Sequence, residues 1–184
     1  MSINQHKDKE ANMKYKSRWL IKHIRKGKVI WQEFSEGNIL HDEGEQALLS
    51  AYFATAYSGY GAPPANLYLG LDARAAPAEA DTLASLSGEP TALSGYTREA
   101  LSTTGTGVSG QDFYIHQPGA YYRADSKEVI WTAGENWAEV KNLFLCTVAT
   151  GTGGKLICTK ALSTPRTLMS DDALTASLFI GLSE

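Results

Sequence analysis

Two short apolar runs, Leu143-Phe-Leu-Cys-Thr-Val-Ala149 and Lys155-Leu-Ile-Cys-Thr-Lys160, flank Gly151-Thr-Gly-Gly154 and decide the fold. Both runs are rich in residues that favour strands, and the glycines favour a turn, so the pattern predicts a β-hairpin centred near residue 152. The glycine segment lacks the Lys and Ser/Thr of a phosphate-binding loop. Such a hairpin would place Cys146 and Cys158 opposite or nearly opposite each other. A disulfide is geometrically conceivable, but the chain shows no export signal, so we expect two buried thiols.

The same pattern of short strands and turns continues through the chain from Tyr96 onward. Candidate strands, separated by Gly, Pro, Ser and Asp, lie at 96–103, 112–116, 121–123, 127–132, 139–149, 155–162 and 173–182. Short strands with such turns are typical of a sandwich or a jelly roll. Asp171 and Asp172 precede the last strand and are interpreted as a turn whose side chains accept hydrogen bonds from nearby amides.

The N-terminal half adds a second hairpin and one helix. Residues 18–25 and 28–34 are β-branched and aromatic, and Lys26-Gly27 separates them, which predicts a hairpin. Apolar residues at helical spacing, with acids crowded at the start, predict a helix over about 40–53. A strand is predicted at 66–71. The long loop that follows, residues 72–95, is expected to be functional or to pack against a partner.

We therefore predict a mainly β protein, with a β-sandwich or jelly-roll-like domain over residues 18–184. One α-helix lies in its N-terminal half, and an extended basic arm over residues 1–17 precedes it. The chain has 184 residues, of which 43% are apolar and 20% charged, as in an ordinary globular protein. No apolar run approaches the roughly 18–20 residues needed to cross a bilayer, so we expect no membrane contact.

The formal net charge of −3 conceals an asymmetry along the chain. Residues 1–32 carry nine Lys or Arg against two acids, whereas residues 33–184 carry eight against eighteen. Three interpretations are open: contact with nucleic acid, docking onto an acidic neighbour such as another copy, or a solvated leader. We favour docking and do not expect a nucleic-acid partner.

Motifs that carry chemistry are incomplete in this sequence. Gly105-Thr-Gly-Val-Ser-Gly110 matches a dinucleotide-binding string, but a strand-like segment follows where a helix is required. His41 and Glu45 could face the same way on a helix, but no third metal ligand lies at useful spacing. His23 and His116 lie in strand-like stretches and are interpreted as structural. We therefore expect a non-enzymatic protein with no catalytic residue, no cofactor and no metal.

One running order of short motifs extends across most of the chain. Its pieces are Gly27-Lys-Val-Ile-Trp31, Asn38-Ile-Leu40, Gly44-Glu-Gln-Ala-Leu-Leu49, Leu67-Tyr-Leu-Gly-Leu71, Asp81-Thr-Leu83, Gly88-Glu-Pro90, Ser94-Gly-Tyr-Thr-Arg98, Ser126-Lys-Glu-Val-Ile-Trp-Thr-Ala133, Asn136-Trp137, Leu143-Phe-Leu-Cys-Thr147 and Gly154-Lys-Leu-Ile157. With these motifs in this order, over roughly residues 19–182, the chain resembles small virion structural proteins of tailed bacteriophages. It departs from them at Ser170-Asp-Asp172, where the resemblance implies Gly-Asp before the last strand.

The resemblance implies a β-sandwich module that attaches to a capsid, neck or tail and oligomerises. Within that class we expect a capsid decoration or cement protein; the alternative is a neck, tail or baseplate protein. The implied partners are other phage structural proteins, either the major capsid protein or a neck or tail protein, and further copies in a homo-oligomer such as a trimer. The implied location is the virion, assembled in the cytoplasm of the host bacterium. The candidate interface residues are Lys14, Lys16, Arg18, Lys22, Arg25, Glu89, Tyr96 and Arg98.

Two further hypotheses come from other functional classes. A glycan-binding recognition module is suggested by analogy with jelly rolls, and it would need exposed aromatic rings. Trp131 and Trp137 are the residues to check, since their burial would weaken this hypothesis. A particle-bound hydrolase would need a cleft in which acids or histidines converge.

Overall fold

The computed structural model describes residues 14–53, 64–119 and 122–183. These residues form strands and one α-helix in the order β1 (Lys14–Arg25), β2 (Lys28–Glu36), β3 (Ile39–Leu40), α1 (Asp42–Phe53), β4 (Asn66–Asp72), β5 (Glu99–Ser102), β6 (Phe113–His116), β7 (Arg123–Ser126), β8 (Val129–Thr132), β9 (Trp137–Cys146), β10 (Leu156–Leu168) and β11 (Ala173–Ser183). Short 3₁₀ turns at Leu83–Ser85 and Ala92–Ser94 lie between β4 and β5. Both predicted hairpins and the predicted helix are present.

The strands form two antiparallel sheets. Sheet A has the order β2-β1-β11-β7-β6, with β8 also paired to β11, and sheet B has the order β3-β10-β9-β4-β5. Apolar side chains alternate along the strands, so that one face of each sheet enters a shared core. Members of that core include Trp19, Ile21, Leu69, Leu71, Leu143, Leu145, Leu174 and Leu178. The prediction of a mainly β sandwich with one helix is confirmed.

The first strand begins earlier than the sequence predicted. The sequence places residues 14–17 in the basic arm, but in the structure they form the start of β1, because β11 offers backbone partners as far as the pair Lys14 and Ser183. Residues 1–13 of the predicted arm and residues 54–63 of a predicted loop lie outside the described residues.

The β9–β10 hairpin contains a bulge that separates the two thiols. Cys146 lies opposite Leu156, but the register shifts by one residue, and Cys158 lies opposite Leu145. Directly opposed residues share a face of the sheet, and a shift of one residue exchanges the faces. Cys158 therefore packs in the core between the sheets, and Cys146 packs on the outer side of sheet B. The two cysteines form no disulfide with each other, and both are buried, as predicted.

The long loop between β4 and β5 covers the outer side of sheet B. Leu83 from this loop packs with Phe144, Cys146 and Leu156 in a second apolar cluster. Gly70 of β4 lies under the ring of Phe144, where a Cβ atom would come within 2.3 Å of the ring. The loop was expected to be functional or to pack against a partner; in the structure it packs on its own sheet.

The turn before β11 holds Asp171 at a φ of +65°, a conformation that favours glycine. This is the place at which the resemblance implies a glycine. We expect Asp171→Val to lower the free energy of unfolding by about 1–2 kcal/mol, because a β-branched residue tolerates this conformation poorly. Asp171→Gly should stay within about 0.5 kcal/mol of the wild type, since relief of strain offsets the added freedom of the unfolded chain. Urea denaturation measures both; equal effects of the two substitutions would contradict the prediction.

Candidate functional site

The predicted interface residues of β1 are distributed along the strand. Lys14 and Lys16 lie at its start, beside the end of β11. Arg18 forms an ion pair with Glu36 of β2. These two residues are cross-strand neighbours.

The other two β1 candidates form ion pairs with partners outside β2. The Lys22 Nζ atom lies 2.8 Å from a carboxylate oxygen of Glu128. Arg25, at the far end of the strand, donates to both carboxylate oxygens of Asp172. These hydrogen bonds hold the pKa of Asp172 well below its usual range.

The remaining predicted interface residues, Glu89, Tyr96 and Arg98, form one network inside the chain. Glu89 Oε1 accepts hydrogen bonds from the Tyr96 hydroxyl at 2.8 Å and from Arg98 Nε at 2.7 Å. The Tyr96 hydroxyl also accepts from the backbone N–H of Leu71 at 2.9 Å, and burial raises the pKa of this tyrosine. Contact of any of the eight candidates with another copy stays a prediction; these three hold the long loop against sheet B.

Arg98 is the centre of this network. Its guanidinium donates to the carbonyl oxygens of Val148 and Gly151, both at 3.1 Å, and lies 5.2 Å from the centre of the Phe144 ring. The side chain is 4% exposed, and the hydrogen bonds to Glu89 raise its pKa. One buried cation therefore joins the loop, the β9–β10 turn and the outer face of sheet B.

A second buried arginine holds the start of the same loop. Arg74 donates from Nε to Asp72 at 2.9 Å, from Nη1 to Asp81 at 2.7 Å and from Nη2 to the hydroxyl of Thr159 at 2.9 Å. The Thr159 hydroxyl also lies 2.8 Å from His41 Nε2. Burial lowers the pKa of His41, which disfavours its charged form beside this guanidinium.

Trp131 and Trp137 are buried. Trp131 Nε1 donates to the carbonyl oxygen of Thr97 at 2.9 Å, and Trp137 Nε1 donates to that of Ser94 at 3.0 Å. Both indoles fix the loop segment that leads into β5. The glycan-binding hypothesis loses the two residues on which it rested.

The histidines singled out in the sequence have hydrogen-bonding partners within the chain. His23 Nε2 lies 2.9 Å from Asp172, and His116 Nε2 lies 2.8 Å from Asp125. His41 precedes α1 and is buried, whereas Glu45 is exposed, so the two do not face a common point. Within residues 14–53, 64–119 and 122–183, no group of three or more His, Cys, Asp or Glu could hold a metal ion.

The outer face of sheet A is a surface with exposed aromatic and charged side chains. The pairing register aligns five side chains across the whole sheet, in the order Glu36, Arg18, Phe179, Asp125 and Tyr114. Directly opposed residues in antiparallel strands point to the same side. The neighbouring rows of this outer face contain Leu20, Lys22, Phe34, His116, Arg123 and Ile130.

Aromatic rings on this outer face contact one another and an arginine. The rings of Phe34 and Phe179 meet edge to face, with centroids 6.2 Å apart. The Arg123 guanidinium lies 5.1 Å from the centre of the Phe179 ring. The rings of Tyr114 and His116 stack with centroids 4.3 Å apart. Phe34 and Tyr114 remain exposed at the surface.

The charged side chains that the structure describes on the outer face of sheet A form ion pairs. Arg18 bonds Glu36, and Lys22 bonds Glu128, whose carboxylate also accepts from Thr175. Arg123 Nη2 donates to Asp125 at 2.7 Å, and the same carboxylate bonds His116. This face therefore combines exposed aromatic surface with charges that neutralise each other locally.

Comparison with known proteins gives one informative result. The family model described as podophage GP4 fiber I protein gp80 matches residues 40–179. The chain belongs to the Gp80 family. It is therefore a phage virion structural protein, which confirms the expected class and the expected association with the virion. No curated protein and no solved structure matches the chain.

The matched region of this Gp80 family member runs from β3 into β11. It includes β6, β7 and β8, which carry half of the outer face of sheet A, and the whole loop held by Arg74 and Arg98. The β1–β2 hairpin precedes the match. No helix among the described residues is long and apolar enough to cross a bilayer.

Sequence reasoning found Arg18 and Lys22 on this face but missed its aromatic residues. A signal was present in β11, where the apolar residues Leu174, Ala176 and Leu178 alternate with the polar Thr175 and Ser177. Phe179 falls out of that alternation and must point away from the core. The partners that surround Phe179 come from strands distant in sequence, and only their pairing reveals them.

Proposed function

We propose that this Gp80 family member is a non-catalytic component of a podophage fiber, which acts through the surfaces it offers to other virion proteins. The family match over residues 40–179 is the observation that carries the proposal. The family is described as a fiber protein, and this favours a fiber over the capsid decoration or cement role expected from the sequence.

The state of the interior titratable groups supports a role without catalysis. Burial alone would raise the pKa of Glu33, but hydrogen bonds from Ser35 and Ser163 outweigh it, and the pKa lies below the usual value. The two bonds from Ser163 join β2 of sheet A to β10 of sheet B. A second link crosses the sandwich where Arg166 donates to His23. The hydrogen bonds of these groups hold the two sheets together.

Removing the protein from the phage separates a fiber component from a cement protein. We expect particles assembled without it to lose a fiber in electron micrographs, while the capsid shell and the temperature of DNA release stay unchanged. Supplying the wild-type protein in trans should restore the fiber. We also propose that the particle is assembled in the cytoplasm of the host bacterium.

The opposite pattern would support capsid decoration instead. In that case particles without the protein would keep their fibers, lose density on the capsid surface and release DNA at a lower temperature. Cryo-electron microscopy of both particle types distinguishes the outcomes, because it images the shell and the fibers in the same specimen.

A further inference from the structure

We infer that the outer face of sheet A is an interface at which a second copy of this chain docks. The inference deepens the proposed function and rests on it, since it names the partner of a surface on a fiber component. Three properties of the face carry it: its composition, its shape and its charge.

The composition of the face is that of a protein interface. Phe34 is 58% exposed, Ile130 is 55% exposed and Tyr114 is 38% exposed, and all three lie on this one face. Aromatic residues and Arg are enriched at protein interfaces, where aromatic anchors dominate the binding energy. Arg123 beside Phe179 adds a guanidinium that is already oriented by an aromatic ring and a carboxylate.

The shape of the face favours a macromolecule over a small ligand. Five adjacent strands at the usual spacing give a surface about 20 Å wide. Small molecules bind in concave sites that enclose most of their surface. A broad sheet face instead offers an extended contact surface, which is the kind of surface through which protein subunits bind each other.

The charge of the face favours a second copy over a strongly charged partner. Arg18 with Glu36, Lys22 with Glu128, and Arg123 with Asp125 already form pairs within one chain. Covering them with a like surface would bury no unpaired charge, which would otherwise be costly. Among the side chains that the structure describes on this face, each of these cations has an anion beside it, so two like surfaces can meet without an excess of one sign, as a twofold-related or ring-forming interface requires.

Sedimentation velocity of the isolated protein over a concentration series tests the inference. We expect the wild type to associate and Phe34→Glu to weaken association about tenfold or more, because a carboxylate would be buried without a partner. Ile130→Glu, on another strand of the same face, should have the same effect. The matched control is Leu93→Glu, because Leu93 is 94% exposed and lies in the long loop over sheet B. Circular dichroism confirms that each variant is folded.

A wild type that stays monomeric at high concentration would overturn the inference. So would an oligomer that withstands both Phe34→Glu and Ile130→Glu, or one that Leu93→Glu disrupts equally. A monomeric wild type whose Phe34→Glu variant fails to enter particles would assign the face to a different virion protein, and this also overturns it. These measurements use the purified chain, so their failure is distinguishable from failure of the fiber assignment, which is read from particles.

Discussion

Replacement of Arg98 by methionine should lower the free energy of unfolding by about 3–5 kcal/mol, as measured by urea denaturation. Methionine keeps part of the apolar stem beside Phe144 but removes every donor of the guanidinium. The carboxylate of Glu89 and the carbonyl oxygens of Val148 and Gly151 would then lose partners at 2.7–3.1 Å. We expect the long loop to loosen first, with faster amide exchange at Tyr96 and its neighbours.

Arg18→Met is the matched control for Arg98→Met. Arg18 also bonds a glutamate, but its side chain is 38% exposed and that of Glu36 is 71% exposed. Exposed ion pairs contribute about 0–1 kcal/mol, so this substitution should change stability little. Similar losses in the two variants would refute the view that burial of Arg98 makes the difference.

Gly44→Ala should destabilise the protein by about 1–3 kcal/mol, although alanine is the better helix former by about 1 kcal/mol. Gly44 lies in the first turn of α1, directly against β10. An added Cβ would stand 2.2 Å from the backbone carbonyl oxygen of Ile157, which cannot turn aside as a side chain could. The helix would have to move away from the sheet, and thermal or urea denaturation would report the loss.

Gly153→Ala serves as the control for Gly44→Ala. Gly153 lies in the β9–β10 turn, and no atom would come within 4 Å of an added Cβ. Its substitution should be neutral or slightly stabilising, because alanine restricts the unfolded chain. A stabilising effect of Gly44→Ala would show that α1 can shift without cost and would contradict the close packing of helix and strand.

The local sequence pattern was sufficient to predict the strands and the helix, but it was not sufficient to predict where individual side chains lie. The hairpin around residue 152 follows from β-forming runs on both sides of a glycine turn. The bulge that places Cys158 on the opposite face from Cys146 cannot be predicted in this way, because a shift of one residue in the pairing leaves the composition and spacing of the sequence unchanged. The sequence therefore predicted buried thiols but not their separation.

The roles of Glu89, Tyr96 and Arg98 illustrate the same limit. They belong to two of the short motifs on which the resemblance rests, Gly88-Glu-Pro90 and Ser94-Gly-Tyr-Thr-Arg98, and the structure brings them together. Whether an arginine turns toward solvent or over Phe144 depends on the path of a loop with little regular structure. That path is fixed by contacts with sheet B, which are distant in sequence.

The outer face of sheet A could not be predicted from the sequence because it depends on the order in which the strands pair. Arg18, Phe179 and Asp125 become neighbours only because β11 lies between β1 and β7. A strand pattern predicts which residues alternate, but not which strand will lie alongside. The aromatic and ionic neighbours of Phe179 are therefore properties of the pairing order.

The pairing of Lys14 with Ser183 has a practical meaning for engineering. Because these positions are adjacent, a short bridging peptide could join them, and the polypeptide could be reopened within the exposed β9–β10 turn to give a circular permutant. Labels attached at residues 14 and 183 would lie side by side, at the opposite end of β1 from Lys26-Gly27. A paired donor and acceptor dye could thus mark one pole of each subunit and report its orientation within the particle.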